Sequence, residues 1–330
     1  MPRGGGGGAS AAHQQGTAPA HPGSQWTPVA SSSLNVARFS HAGAEIGNSI
    51  FVLGGWPDSQ FTRALTEVER LDKIGDPWQL LPPLNAGRGN PAAAALDGRL
   101  YAIGGYDQAG NALTSVETIE PGLDTAWSPV ADLPEPRGAC AAAATQDRIY
   151  VTGGDDGTGA PSRNSLVVYD PGTGQWQARA AMITRRSNLK MVYLDPYVYA
   201  IGGFGTGPDD LPLGTVERYD PGSDTWTAVA SMNTGRINVG TAVVGNRIVV
   251  VGGAGQVFGH RQPLQTSEVY DPAADAWTTF DPLLDPGRGG VTSAAVPGNR
   301  VLAIGGALST AQGLVTTQEV DRSPNVHHHN

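Results

Sequence analysis

The chain has 330 residues and 34.1 kDa, with 21 basic against 30 acidic side chains, a net charge of −9 and a pI near 5.2. That field repels phosphate backbones and argues against nucleic-acid binding. A single cysteine, Cys140, excludes an internal disulfide and any cysteine-based zinc site, and no apolar run approaches the ~18 residues needed to span a bilayer as a helix. Hydrophobic residues at 39% and a mean hydropathy of −0.22 read as a soluble chain that can bury a core. Gly and Pro supply 71 of the 330 residues, which favours many turns over long helices.

In chain order, residues 1–24 come first, a Gly run followed by a mixture of Ala, Pro, Gln and His. They read as a disordered arm. They contain no apolar h-region, so no intact signal peptide is read. This places the cytoplasm ahead of export, unless a signal has been removed. The next segment, WTPVASS from Trp26, has the character of a short strand standing alone.

From there the sequence repeats. A Gly doublet closes a short apolar run six times: FVLGG at Gly55, YAIGG at Gly105, YVTGG at Gly154, YAIGG at Gly203, VVVGG at Gly253 and LAIGG at Gly306. Trp26, Trp78, Trp127, Trp176, Trp226 and Trp277 keep the same beat of about 50 residues. So do Arg38, Arg88, Arg137, Arg186, Arg236 and Arg288, each 16 or 17 residues before the first Gly of its doublet. Each repeat reads as four short strands, a to d. In the fourth they are expected at 187–194, 197–201, 215–219 and 225–230, separated by Asp-Pro, Gly and Ser turns. The last repeat has a strand c at 316–321 and no Trp after it. The lone N-terminal strand, residues 25–30, is therefore expected to pair beside 316–321 and complete a sixth unit, leaving no open edge.

Four strands in ~50 residues is the arithmetic of a β-propeller blade. In the marker set Gly-Gly, then VERLD, VETIE, LVVYD, VERYD or SEVYD, then Trp, the chain resembles the kelch family over about residues 25–322. The Tyr of the motif is present only at Tyr169, Tyr219 and Tyr270; Leu71, Ile119 and Val320 stand in its place elsewhere. The resemblance implies an all-β, six-bladed propeller of four-stranded antiparallel blades, closed by the N-terminal d strand, with residues 323–330 as a tail. The Gly doublets are expected to allow close backbone approach and positive φ. The Trp residues are expected to pack blade on blade. The arginines are expected to hydrogen-bond carbonyls or to pair with Glu69, Glu117 or Glu217.

Function is less constrained, because propellers host unrelated activities. The a–b and c–d turns are tight, and the b–c connections are longer and more varied, so the b–c face is the expected binding side. It carries Trp56, Phe61 and Arg63 from the first repeat and His260 and Arg261 from the longest connection, in the fifth. Blades one and five flank blade six, so these two loops are expected to reach across the mouth of the central pocket from either side. Kelch propellers often direct the residue two after the periodic Arg into that mouth, which here gives Ser40, Asn90, Asn188 and Asn238. His41 and Cys140, three residues after their arginines, read as structural. Asp155-Asp156 and Asp209-Asp210 match no ordered Ca²⁺ loop, and His327 to His329 read as a solvated tail.

No HExxH, CxxC, P-loop or GxSxG motif is present. The copper ligands of galactose-oxidase-like kelch enzymes and the iron pattern of plant specifier proteins are missing too. The expected function is a non-catalytic module, with no cofactor or metal. It would bind a protein or a small ligand, an anionic one being favoured by the loop arginines. The rival is a carbohydrate-active enzyme of the sialic-acid mutarotase type, with His260 as proton shuttle. A carboxylate beside His or Arg in the pocket would favour the enzyme, and a neutral Asn/Ser ring the binding module.

Overall fold

The computed structural model describes residues 26–29, 32–205, 211–257, 260–280, 284, 286–308, 313–314 and 316–321. The expected arm, the C-terminal tail, and Gln25 and Ala30 of the closing segment lie outside them. The described residues form six four-stranded antiparallel sheets, with strands in the order a, b, c, d from the centre outwards. Blade 1 consists of Ala42–Ile46, Ser49–Leu53, Val68–Leu71 and Gln79–Leu81. Blades 2 to 5 repeat the pattern from Ala92–Leu96 to Ala276–Phe280. Blade 6 takes Thr292–Val296, Arg300–Ile304 and Thr317–Asp321 from one end of the chain and Thr27–Pro28 from the other. Thr27 pairs with Glu319 and Pro28 with Gln318, and the Val29 amide donates to the Thr317 carbonyl at 3.0 Å. The ring is thus closed by the N-terminal d strand.

Strand b is an unbroken apolar run because both its faces are covered: Phe51, Val52 and Leu53 are all buried. Each hydrophobic cluster draws on two successive blades. One joins Tyr199, Ile201 and Val216 of blade 4 to Val239, Ile248 and Tyr270 of blade 5. Another joins Ile50 and Val52 of blade 1 to Leu302 and Ile304 of blade 6. The periodic Trp adds a polar link to this packing. In four blades its indole N–H reaches back to a carbonyl that follows strand d of the preceding blade: Trp127 to Pro82 at 2.9 Å, Trp176 to Ala131 at 2.8 Å, Trp226 to Ala180 at 2.8 Å and Trp277 to Ala230 at 2.8 Å.

All six periodic arginines are buried. Each donates from Nη1 to the carbonyl of the first Gly of its doublet, as Arg186 does to Gly202 at 2.8 Å, and to a carbonyl just before strand c, here Thr215 at 2.9 Å. In four blades the guanidinium also meets a buried glutamate of strand c: Arg38–Glu69 at 2.6 Å, Arg88–Glu117 at 2.9 Å, Arg186–Glu217 at 2.6 Å and Arg236–Glu268 at 2.7 Å. Blade 3 has Val167 at this position, and Arg137 reaches only the exposed Glu135, at 3.7 Å. The second Gly of each doublet donates its amide to the carbonyl of the next blade's arginine, as Gly55 does to Arg88 at 2.8 Å. Gly55 has φ 96°, and a Cβ there would lie 2.7 Å from the Phe39 carbonyl oxygen, so no other residue fits.

One element is shorter than expected. Strand a of blade 4 begins at Lys190, not at residue 187. Arg186–Ser187 pair instead with Phe204–Gly205, and Asn188, at φ 55°, turns the chain between the two pieces. A left-handed residue cannot continue a strand.

Two stability outcomes follow. Deleting residues 1–34 removes the closing strand and Trp26, which is buried between blades 5 and 6. The melting temperature measured by calorimetry falls by roughly 6 °C or more, since losing a buried Trp alone costs about 3–5 kcal/mol; deletion of residues 1–20 leaves it unchanged. Arg186→Met strands Glu217 as a buried charge and costs about 3–5 kcal/mol. Arg137→Met strands no buried carboxylate and costs about 1–3 kcal/mol. Urea unfolding of the two variants distinguishes these values.

Candidate functional site

The mouth of the central channel is built by six residues, one per blade: Ser40, Asn90, Ala139, Asn188, Asn238 and Gly290. All have positive φ, from 45° to 66°. Each amide donates to the carbonyl of its counterpart in the preceding blade. Ser40 donates to Gly290 at 2.9 Å, Asn90 to Ser40 at 3.1 Å, Ala139 to Asn90 at 3.1 Å, Asn188 to Ala139 at 2.8 Å, Asn238 to Asn188 at 3.0 Å and Gly290 to Asn238 at 2.9 Å. The six bonds form a closed circle. Asn is the residue type, after Gly, that most readily takes this conformation, which is why it recurs here. Ser40, Asn90, Asn188 and Asn238 thus both turn the chain and line the mouth.

The side chains of the ring are linked outwards. The Asn90 amide donates to Asn188 Oδ1 at 3.2 Å and its own Oδ1 accepts from Trp56 Nε1 at 3.0 Å. Asn188 Nδ2 donates to Ser187 Oγ at 3.1 Å. Among the described residues the Asn238 side chain makes no hydrogen bond, and it lines the mouth. Trp56 is buried; it lies over Gly89 of the next blade, where a Cβ would come within 1.9 Å of the ring. Tyr106 covers Gly138 in the same way and donates to Asp155 Oδ1 at 2.6 Å, a bond that with burial holds its phenol protonated.

The remaining sequence candidates are dispersed. Phe61 is 51% exposed and meets Trp56 edge-on, with ring centroids 5.1 Å apart. Arg63 is held by both oxygens of Glu67, at 2.9 and 2.6 Å, so its charge is already met. The fifth connection is not a loop but a hairpin, Ala254–Val257 with His260–Pro263. The Leu264 amide, bound to the Gly253 carbonyl at 2.8 Å, clamps its base, and pairing runs outwards from there. Arg261 turns towards blade 4 and lies over the Phe204 ring at 4.7 Å. Among the described residues, His260 and Arg261 make no hydrogen bond or ring contact with Trp56 or Phe61, so the expected reach across blade 6 is not seen. Asp209 and Asp210 lie outside the described residues. Among those described, no three His, Cys, Asp or Glu side chains come together as a metal site.

Beneath the mouth the channel is lined by strand a, and there lies a residue that the sequence reading passed over. Lys190 occupies a position taken elsewhere by Ala42, Ala92, Ala141, Gly240 and Thr292. Its side chain enters the channel beside His41 and Cys140. Burial lowers its ammonium to about 8. Burial and the nearby Arg38 and Lys190 charges hold His41 neutral. Burial raises the Cys140 thiol to about 11, and the thiol donates to the Arg137 carbonyl at 3.8 Å. The available signal was that Lys190 is one of only two lysines, Lys73 being the other, and interrupts a column of small residues.

The lowered Lys190 value has a definite sign. The native state binds this proton less tightly than the unfolded chain does, so native stability rises as pH climbs from about 8 to 10.5. Lys190→Met is therefore expected to stabilise the protein by up to about 3 kcal/mol at pH 7. The gain disappears above about pH 10.5, where the wild-type amine is neutral in both states. Urea unfolding at low ionic strength across that range measures it.

The family profile described as the KLHDC2/KLHL20/DRC7 Kelch-repeats domain matches residues 40–253 and, in a second register, 90–306. Kelch-like protein 36 of Rattus norvegicus is 32% identical over 181 residues, which is 54% of this chain and 29% of that protein. Kelch-like protein 25 of Xenopus tropicalis is 29% identical over 184 residues, 53% of this chain and 30% of that protein. The matches thus span under a third of these relatives' length. The solved structure of YjhT superposes with a TM-score of 0.75 at 18% identity, covering 89% of this chain and 97% of that one, and so shares its fold. With the repeat markers, the six closed blades and the profile match in agreement, the chain belongs to the kelch-repeat family.

Proposed function

We propose that this propeller is a non-catalytic interaction module that binds a protein or small ligand, an anionic one favoured, on the face formed by its b–c connections. The observation that carries the reading is Phe61. It is half exposed, yet it holds a left-handed φ of 51°. A bulky side chain in that conformation costs on the order of 1–3 kcal/mol and persists only where its surroundings enforce it. Gln108 Nε2 donates to the Phe61 and Thr62 carbonyls at 3.1 and 2.9 Å. Trp56 and Phe39 pack against the ring, and Trp56 is tied to the mouth through Asn90. An aromatic surface held rigid in solvent loses little entropy on binding.

Elsewhere the same face offers the exposed Leu211, the free amide of Asn238, and the exposed His260 and Arg261. In this reading Phe61, Asn238, His260 and Arg261 touch the ligand, Arg261 supplying the positive charge. Trp56, Asn90 and Asn188 hold the platform in place, and Arg63 stays with Glu67. The mutarotase reading asks for a carboxylate beside His or Arg in the pocket. The residues lining the mouth are Asn, Ser, Pro, Ala, Gly, Leu and Val with His41, Cys140 and Lys190, without the carboxylate which that reading requires.

Selection of a displayed random-peptide library on the immobilised protein tests the proposal. Enriched peptides are expected to be acidic. Each is expected to bind the double variant Phe61→Ala, Arg261→Ala at least about tenfold more weakly by calorimetry, the loss of one buried anchor and one charged contact, with the melting temperature unchanged. Enriched peptides that bind parent and variant equally place the site elsewhere.

A further inference from the structure

The channel below the mouth is a separate compartment. The hydrogen-bonded circle narrows the mouth to a void of about 20 Å³, room for about one water. Below it lies a chamber of about 70 Å³, lined by Ala42, Gly43, Ala92, Ala93, Ala141 and Ala142 together with Cys140, Lys190, Thr241, Thr292 and Ser293. It continues through Gly43, Ala93, Thr241 and Ser293 into a wider chamber of about 310 Å³ towards the a–b turns. The middle chamber can therefore be reached from the face opposite Phe61.

Every polar side chain of its lining can donate a hydrogen bond. The Lys190 ammonium has three N–H bonds and makes no hydrogen bond or ion pair among the described residues. Ser293 is 9% exposed, and its buried Oγ has no hydrogen-bond partner. The Thr241 hydroxyl makes no hydrogen bond among the described residues either, while that of Thr292 donates to the His41 carbonyl at 3.3 Å. No carboxylate lines the chamber. The only one in the channel lining is Glu45, in the wider chamber. It stands three residues further along strand a than the Lys190 position, about 10 Å at the usual rise, and accepts the Ala295 amide at 3.1 Å. Buried charges in proteins are paired, hydrogen-bonded or neutralised. A lone ammonium beside unpartnered hydroxyls inside the channel lacks only the counter-charge.

We infer that the middle chamber binds a small monovalent anion, of the size of chloride, bromide or nitrate, held by Lys190 with the hydroxyls of Ser293 and Thr241. The volume admits one such ion with a few waters, and the narrow circle at the mouth separates the chamber from the b–c face, so the site is distinct from that face and does not depend on what binds there. It makes the propeller's stability respond to halide. An ion bound only to the folded state stabilises it in proportion to the logarithm of its concentration over the dissociation constant.

Two measurements test the site with the intact protein. In the first, crystals grown in sodium bromide are examined at the bromine absorption edge. An anomalous peak is expected in the channel within hydrogen-bond distance of Lys190 Nζ and Ser293 Oγ. Peaks confined to the outer surface overturn the proposal, and this readout requires no variant to fold. In the second, melting temperature is followed against sodium bromide at constant ionic strength, with gluconate, too large for the chamber, as the replacement anion. The wild type is expected to show a saturable rise. Lys190→Met should abolish it, and Ser293→Ala should shift its midpoint to about tenfold higher bromide, the loss of one hydrogen bond to a charged group. An equal rise in Lys190→Met and wild type also overturns the proposal.

Discussion

One buried arginine per blade holds this molecule together. Its guanidinium satisfies two carbonyls at the inner corner of its own blade, where the chain leaves strand b at the Gly doublet and re-enters at strand c. The Ser115 carbonyl also accepts the Gly104 amide, at 3.2 Å, whereas the Gly104 carbonyl has the guanidinium as its donor, and a buried carbonyl left without one costs about 1–3 kcal/mol. The backbone of the same residue reaches the preceding blade: Arg88 accepts from the Gly55 amide at 2.8 Å and donates to the Leu65 carbonyl at 3.0 Å. A single residue thus completes a corner within one blade and fastens that blade to its neighbour. The 16 or 17 residues between the arginine and its Gly doublet are the length of the path through the turn at the mouth and along strands a and b.

The same constraint shapes the axis. Six corners brought together around one axis favour residues that turn sharply and carry little bulk, and five of the strands a answer with Ala, Gly, Ser and Thr along much of the channel, blade 4 with Lys190 and Met191 being the exception. The left-handed circle at the mouth is a consequence. Each blade must redirect its chain between the small pairing at the mouth and strand a, and a positive φ does so in one residue. The amides freed by that turn find the neighbouring carbonyl. Closure then leaves no backbone amide of the circle unpaired.

The two ends of the channel differ in chemistry. At the mouth the b–c connections bring aromatic rings, amides and Arg261 into solvent around a circle too narrow to pass a ligand. At the other end the passage widens, and the one cation of the lining projects into a chamber of hydroxyl and methyl groups. The exposed carboxylates of the chain are screened by water, so inside the channel the nearest charge, a single ammonium, sets the local field.

The sequence by itself determined the number of blades, the four strands in each, the closing strand from the N-terminus and the residues that build every corner. These rest on local chemistry repeated six times, and repetition makes weak signals additive. The tertiary structure alone decided which of the singular residues act together. Trp56 and Arg63 looked like ligand contacts, yet the structure buries one against Gly89 and pairs the other with Glu67. His260 and Arg261 looked like a partner for the first connection, but the fifth connection pairs with itself and Arg261 turns to Phe204. Lys190 stood out in the sequence only as one of two lysines. Its importance comes from five other strands that place small side chains opposite it, and a contact among six segments some 50 residues apart has no signature along the chain.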